Sequence, residues 1–260
     1  MKKKEIVKTI TIVVCLILFS ILTSVLYMAE EPWQTVLVWS DIKAGKEDAV
    51  KKALDKGLDP NSLAPTGYPL LQTAVANDNV EIVKLLLKYG ADPKRYGCEW
   101  LVDTAVRNNN YELVKLLVQA GAVVKRPSYF CCIWDDPLVD AVGKQNLEIV
   151  RFLLANGADP NAAGLSLTTA LQTAAQTGNI DIMKLLIESG AIIDQRNGYG
   201  RTALMLACAE GQLVSVEFLL SQGADPSLAT PYGDTALSVA QKSTNPSKDK
   251  IIDALLARKK

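Results

Sequence analysis

Glycine returns along this chain at Gly57, Gly90, Gly121, Gly157, Gly190 and Gly223, at spacings of 33, 31, 36, 33 and 33 residues. Self-similarity at a fixed period of about 20–50 residues is the mark of stacked supersecondary units rather than of a globule with one centre. The segment from Gly157 shows the unit most clearly. It opens with Gly157-Ala158-Asp159-Pro160-Asn161 and passes through Thr169-Ala170-Leu171-Gln172-Thr173-Ala174-Ala175. It then turns at Gly178-Asn179, runs through Leu185-Leu186 and closes at Gly190-Ala191. The closing Gly-Ala is also the opening of the next copy.

Residue types within the unit predict two helices. Ala74, Ala105, Ala141, Ala174, Ala207 and Ala240 share one register, so first helices present a small face and approach closely. Second helices start at Asn79, Asn110, Asn146 and Asn179, a residue whose side-chain oxygen satisfies an orphan backbone N–H. Glu81, Glu112, Glu148 and Asp181 follow two residues later, beside the positive end of the helix dipole. The pairs Leu85-Leu86, Leu116-Leu117, Leu153-Leu154, Leu185-Leu186 and Leu219-Leu220 then face the stack, and each closing glycine supplies a left-handed turn. No single unit can bury its apolar face, so stability is a sum of repeat and interface terms.

First helices open with Thr202-Ala203-Leu204-Met205-Leu206-Ala207 and Thr235-Ala236-Leu237-Ser238-Val239-Ala240, with looser versions at Pro69–Ala74, Trp100–Ala105 and Asp136–Ala141. On these motifs and the phased glycines the chain resembles the ankyrin-repeat family over nearly all of residues 33–260. The resemblance implies an all-α solenoid of helix-turn-helix repeats, joined by loops that project as β-hairpin fingers. It also implies a protein partner on the concave face, made by the fingers and first-helix positions such as Thr73, Asn77, Thr104, Arg107, Lys144, Thr173 and Gln176. One departure is clear. The family's first-helix histidine is replaced by Gln72, Asp103, Val139, Gln172, Met205 and Ser238, so its bonds between loops are lost or replaced and a lower stability is expected.

Before the repeats, residues 9–29 carry no charge. As a helix this run spans about 31 Å, close to the roughly 30 Å hydrocarbon core of a bilayer. A cleaved signal peptide has a shorter apolar region and small residues before the cut, and Tyr27-Met28-Ala29 is a poor site. Lipidation of Cys15 fails on Val14, which is not small, and a buried core helix fails on the flanking lysines. The expectation is one uncleaved transmembrane helix. Lys2, Lys3, Lys4 and Lys8 precede it and Glu30-Glu31 follow it, which places a basic tail, residues 1–8, in the cytoplasm and the repeats outside. In a bacterium that means the inner membrane, with the repeat domain in the periplasm. The repeat domain runs over 32–260: a degenerate capping repeat at 32–57, then six repeats from about 58, 91, 122, 158, 191 and 224. Trp33 and Trp39 either anchor at the membrane surface or pack on the first repeat.

The period breaks in the middle, and insertions in solenoids map to loops on one face, often the binding face. Tyr96, Trp100, Tyr129, Phe130 and Trp134 sit in the two irregular loops. Aromatics and arginine dominate interface hot spots, so these five, with Arg107 and Lys144, form a candidate partner-binding patch; alternatively the rings wedge neighbouring fingers together. Cys98, Cys131 and Cys132 lie in the same loops, and outside the cytoplasm a disulfide from Cys98 to Cys131 or Cys132 is permitted. Cys208 occupies a first-helix core slot and is expected to be a small buried hydrophobe.

The chain has no histidine, and Lys plus Arg balances Asp plus Glu at 28 each. Ser-His and Cys-His nucleophiles and most zinc sites are thereby removed, and nothing points to nucleic acid. No enzymatic activity, cofactor, metal or small-molecule substrate is expected. Bacterial proteins similar to this are often encoded beside toxins, which implies an immunity protein that neutralises a periplasmic toxin or effector. The other reading is a scaffold that recruits an envelope protein or enzyme.

Overall fold

The computed structural model describes residues 33–95, 100–124, 136–164 and 167–257. The expected membrane span, residues 9–29, lies outside them, and no helix of the described residues is long and apolar enough to cross a membrane. The chain divides into two units, Met1–Asp92 and Pro93–Lys260.

In the first unit, α1 covers 33–43 and is followed by α2 (Glu47–Asp55), α3 (Leu70–Ala76) and α4 (Val80–Lys88). Helix α4 packs on both α3 and α2. The second unit contains α5 (Leu101–Arg107), α6 (Tyr111–Gln119), α7 (Pro137–Gly143), α8 (Leu147–Ala155) and α9 (Ala170–Thr177). It continues with α10 (Ile180–Glu188), α11 (Ala203–Glu210), α12 (Leu213–Ser221), α13 (Ala236–Lys242) and α14 (Lys248–Ala257). Odd-numbered helices pack in order as one layer, α5 to α7 to α9 to α11 to α13, and even-numbered ones as another, α6 to α8 to α10 to α12 to α14.

Between the layers lies the expected core. The six phased alanines are each 0% exposed, and in the second unit their small size lets α5, α7, α9, α11 and α13 pack closely. The leucines four residues before each closing glycine, Leu86, Leu117, Leu153, Leu186 and Leu219, are also fully buried. Their pair-mates Leu116, Leu154 and Leu185 are only partly covered. The six closing glycines all lie at φ between +89° and +97°, the left-handed conformation that L side chains resist.

Cap residues account for where the helices begin. Asn110, Asn146 and Asn179 accept from the backbone N–H three residues on. Asn79 departs from this expectation: it makes no side-chain cap bond, and its amide donates to Ile42 O at 2.7 Å, tying α4 back to α1. First helices carry their own caps: Thr169, Thr202 and Thr235 accept from N3 backbone groups, and Asp136 caps α7 ahead of Pro137.

The expected β-hairpin fingers are corrected in one respect: among the described residues they contain no strand. Single antiparallel bridges close them, at Leu63 with Pro69, Ala163 with Thr169 and Ala229 with Thr235. The reason is length. Helical residues begin one position after each bridge's second partner, so no ladder can extend.

Candidate partner-binding surface

Only part of the expected patch is within the described residues. Tyr96, Tyr129, Phe130 and Trp134 lie outside them, as do Cys98, Cys131 and Cys132. Trp100 is half-buried and occupies the N-cap of α5, where its carbonyl accepts from Thr104 Oγ1 at 2.7 Å. Arg107 closes the same helix, half-buried, with its guanidinium on Thr104 Oγ1. Seven residues of helix put these two about 10 Å apart along the axis. Lys144 is exposed at the C-cap of α7, the helix beside α5. Arg107 and Lys144 thus mark matching ends of adjacent helices, while Trp100 stands at the opposite end.

A different set of side chains is presented together in the second unit. Three successive fingers share one turn: Gly164 N donates to Thr168 O, Asn197 N to Arg201 O and Thr230 N to Asp234 O, at 2.9 to 3.0 Å. Inside each, Leu167 N, Gly200 N or Gly233 N donates back to the first residue of the turn. The tips carry large apolar groups in the open. Leu167 is 58% exposed, Tyr199 61% and Tyr232 87%. Tyr199 and Tyr232 hold the same position in adjacent fingers, 33 residues apart. With helices α9, α11 and α13 in sequence behind them, successive tips stand about 10 Å apart, the usual interhelical spacing.

These fingers are held by their own side chains. Asn197 Oδ1 accepts from Tyr199 N and from Arg201 N, both at 3.0 Å. Thr230 Oγ1 does the same for Tyr232 N and Asp234 N. Arg196 Nη1 donates to Ala229 O at 2.9 Å, linking one finger to the next. Gly200, at φ +74°, lies so close to the following finger that a Cβ there would overlap Pro231 Cδ. The backbones of the two tyrosines are therefore held by their turns, which lowers the ordering cost of a contact made there.

Around the tips the electrostatics are mixed in sign. Lys242 is hydrogen-bonded to Asp234 and holds its carboxyl below the usual carboxylate range, with Arg201 adding to the effect. Cys208 is fully buried, and burial pushes its thiol up to about 12, so it serves as the expected small hydrophobe. Among the described residues no group of three His, Cys, Asp or Glu side chains could hold a metal ion.

Aromatic density along the sequence points to the irregular loops and not to Tyr199 and Tyr232. The signal was present: Gly198-Tyr199-Gly200 and Pro231-Tyr232-Gly233 are in phase with the glycine series.

Comparison with known proteins agrees with this architecture. A family model described as ankyrin repeats in three copies matches residues 40–128 and again 138–230. A fowlpox virus ankyrin repeat protein is 29% identical over 137 residues, 50% of this chain and 17% of that protein. An ankyrin repeat-containing protein of Schizosaccharomyces pombe is 34% identical over 55 residues, 21% of this chain and 27% of that one. The chain therefore spans well under a third of either relative's length. The crystal structure of the human ASB11 ankyrin repeat domain superposes with a TM-score of 0.69 at 24% identity, covering 85% of this chain and 96% of that one. The paired helices, the six left-handed glycines and two family matches that together take in most of the sequence lead to one assignment: the chain belongs to the ankyrin repeat family.

Proposed function

We propose that this protein is a protein-binding module held at a membrane, and that its contact surface in the second unit includes the tips at Leu167, Tyr199 and Tyr232. Ankyrin repeat domains are in general interaction modules rather than enzymes, and the family assignment supports a protein partner. The observation that carries the surface is the pair Tyr199 and Tyr232, 61% and 87% exposed at one register of adjacent, internally bonded fingers. Exposed aromatic rings on turns whose backbone is already held suit interface anchors. Arg107 and Lys144 extend the proposed surface along α5 and α7, and Tyr96, Trp100, Tyr129, Phe130 and Trp134 remain part of it as the sequence suggests. Tethering rests on the uncharged run 9–29 and the lysines before it, which orient the repeats away from the cytoplasm.

Within this reading the finer role is neutralisation of a toxin or effector arriving on that side of the membrane, as the resemblance to bacterial ankyrin proteins suggests. Crosslinking in the source cells, followed by capture of the tethered chain, tests the surface. The double variant Tyr199→Ser, Tyr232→Ser is expected to lose its crosslinked partner while keeping the melting temperature of the parent. Unchanged crosslinking would remove the fingertips from the interface. Deleting the gene tests the role: neutralisation predicts killing by sibling cells that carry the toxin, and an envelope defect without such cells would favour the scaffold.

A further inference from the structure

The first helix presents an outer stripe with no charge on it. Trp33, Leu37 and Ser40 recur at spacings of four and three, so they fall on one face of a 3.6-residue helix. All three are exposed, Trp33 at 71% and Leu37 at 65%. The opposite face is buried through Val38 and Ile42, at 4% and 0%. The two tryptophans of this helix thus differ. Trp39 is half-buried, with the Lys43 ammonium 4.5 Å from its ring centroid, and belongs to the packing of the unit. Trp33 stands in the open beside another large apolar side chain. The charges of the helix flank the stripe without entering it: Lys43 on one side and Asp41, paired with Lys46 at 3.2 Å, on the other.

We propose that this face lies on a lipid surface, with Trp33 and Leu37 in the headgroup layer of the bilayer that residues 9–29 span. The inference rests on the reading of 9–29 as a membrane span and deepens it. Chain length commits the occupant. Trp33 follows Ala29 by four residues, a reach of at most about 14 Å. The headgroup layer adds roughly 5–8 Å to each side of the hydrocarbon core. A span that ends near Ala29 therefore delivers Trp33 to that layer or just beyond it, where amphipathic rings are enriched. A helix lying in the interface needs an apolar face of this kind with polar groups at its flanks.

The test uses the full chain reconstituted into phosphatidylcholine vesicles, with and without bromine high on the acyl chains, and compares it with Trp33→Phe. That substitution alters one exposed ring and leaves Val38 and Ile42 in place, so the fold is retained. The parent chain is expected to float with the vesicles, to lose tryptophan emission to the brominated lipid, and to shield the lost part from aqueous iodide. In Trp33→Phe the lipid-quenched share should fall about two-fold or more, since Trp33 is the ring placed at the interface. Flotation with equal quenching of both chains would overturn this inference and leave the span standing. A chain that does not float would sink the span and this inference together. Protection of Trp33 that grows with protein concentration in detergent, without quenching by brominated lipid, would assign the stripe to a second copy and overturn the lipid assignment.

Discussion

Gln172 stands where the family has histidine, and its amide takes over bonds between neighbouring loops. Its Oε1 accepts from Thr169 N at 2.9 Å, and its Nε2 donates to Gln195 O at 2.7 Å and Arg201 O at 3.1 Å. The side chain is 1% exposed, so water cannot replace what a substitution removes. Gln172→Leu keeps the volume and strands those groups; a loss of about 1–3 kcal/mol is expected in urea unfolding. An unchanged midpoint would show that the bonds carry no net stability. Among the described residues Ser238, in the same register, bonds within its own repeat, to Thr235 and Asp234, so the histidine's bonds between loops are lost there and replaced at Gln172.

Asp194 shows what one charge does in a loop built for an amide. Asn61 and Asn161 each accept from a backbone N–H of the next repeat, Asp92 and Ile192, and donate to Gly90 O and Gly190 O. Asp194 accepts likewise from Asp225 N, but a carboxylate cannot donate. Burial raises its pKa, the Asp225 charge adds to this, and the Asp225 N–H opposes it. A carboxyl raised in the folded state binds its proton more tightly there than in the unfolded chain. Its stabilising contribution is complete below the unfolded value, about 3.9, and is lost as pH climbs through the folded one. Asp194→Asn should therefore raise the melting temperature at neutral pH. As the pH falls below the ordinary Asp range the gain should shrink to the added amide bond alone. A gain independent of pH would mean the charge is not the cause.

At the scale of the element, the turn between the two helices of each repeat has a second left-handed residue. Gly45, Asp78, Asn109, Gln145, Gly178 and Gly211 lie at φ between +55° and +77° and repeat with the same spacings as the closing glycines. The closing series is legible in sequence because every member is glycine. This one is hidden because Asp and Asn tolerate the conformation and Gln145 endures it. Gln145 is exposed, so Gln145→Gly removes strain without touching the core and should stabilise by about 0.5–1 kcal/mol. A loss in thermal unfolding would show that the backbone there is relaxed. The same division between legible and hidden residues runs through the site. The alanine register and the Leu rows follow from packing periodicity and are visible in the bare text. Which loop residues end up exposed depends on turn hydrogen bonds, such as those of Asn197 and Thr230, that leave little trace in composition. Tyr199 and Tyr232 are legible only by phase, and the aromatics of residues 96 and 129–134 lie outside the described residues.

At the scale of the molecule, order of contact decides how stability is shared. In the second unit α6 meets α8, α8 meets α10 and α10 meets α12, and each places a fully buried leucine at one register position: Leu117, Leu153, Leu186 and Leu219. Each leucine-to-alanine change should cost about 2–5 kcal/mol, from lost transfer energy and the cavity left behind. Coupling should follow the stack. Leu186→Ala and Leu219→Ala empty sites in touching helices, so their joint cost should depart from the sum by about 0.5–3 kcal/mol. Leu117→Ala and Leu219→Ala are separated by two intervening helices and should add to within about 0.5 kcal/mol. Equilibrium urea unfolding of the four variants and the two pairs checks both. If the distant pair coupled as strongly as the adjacent one, the unit would be a single cooperative core and not a row of neighbours. A row has a further consequence for binding: a contact at the Tyr199 and Tyr232 tips stabilises most strongly the repeats that carry them, so a partner there should protect α11 and α13 before it protects α5.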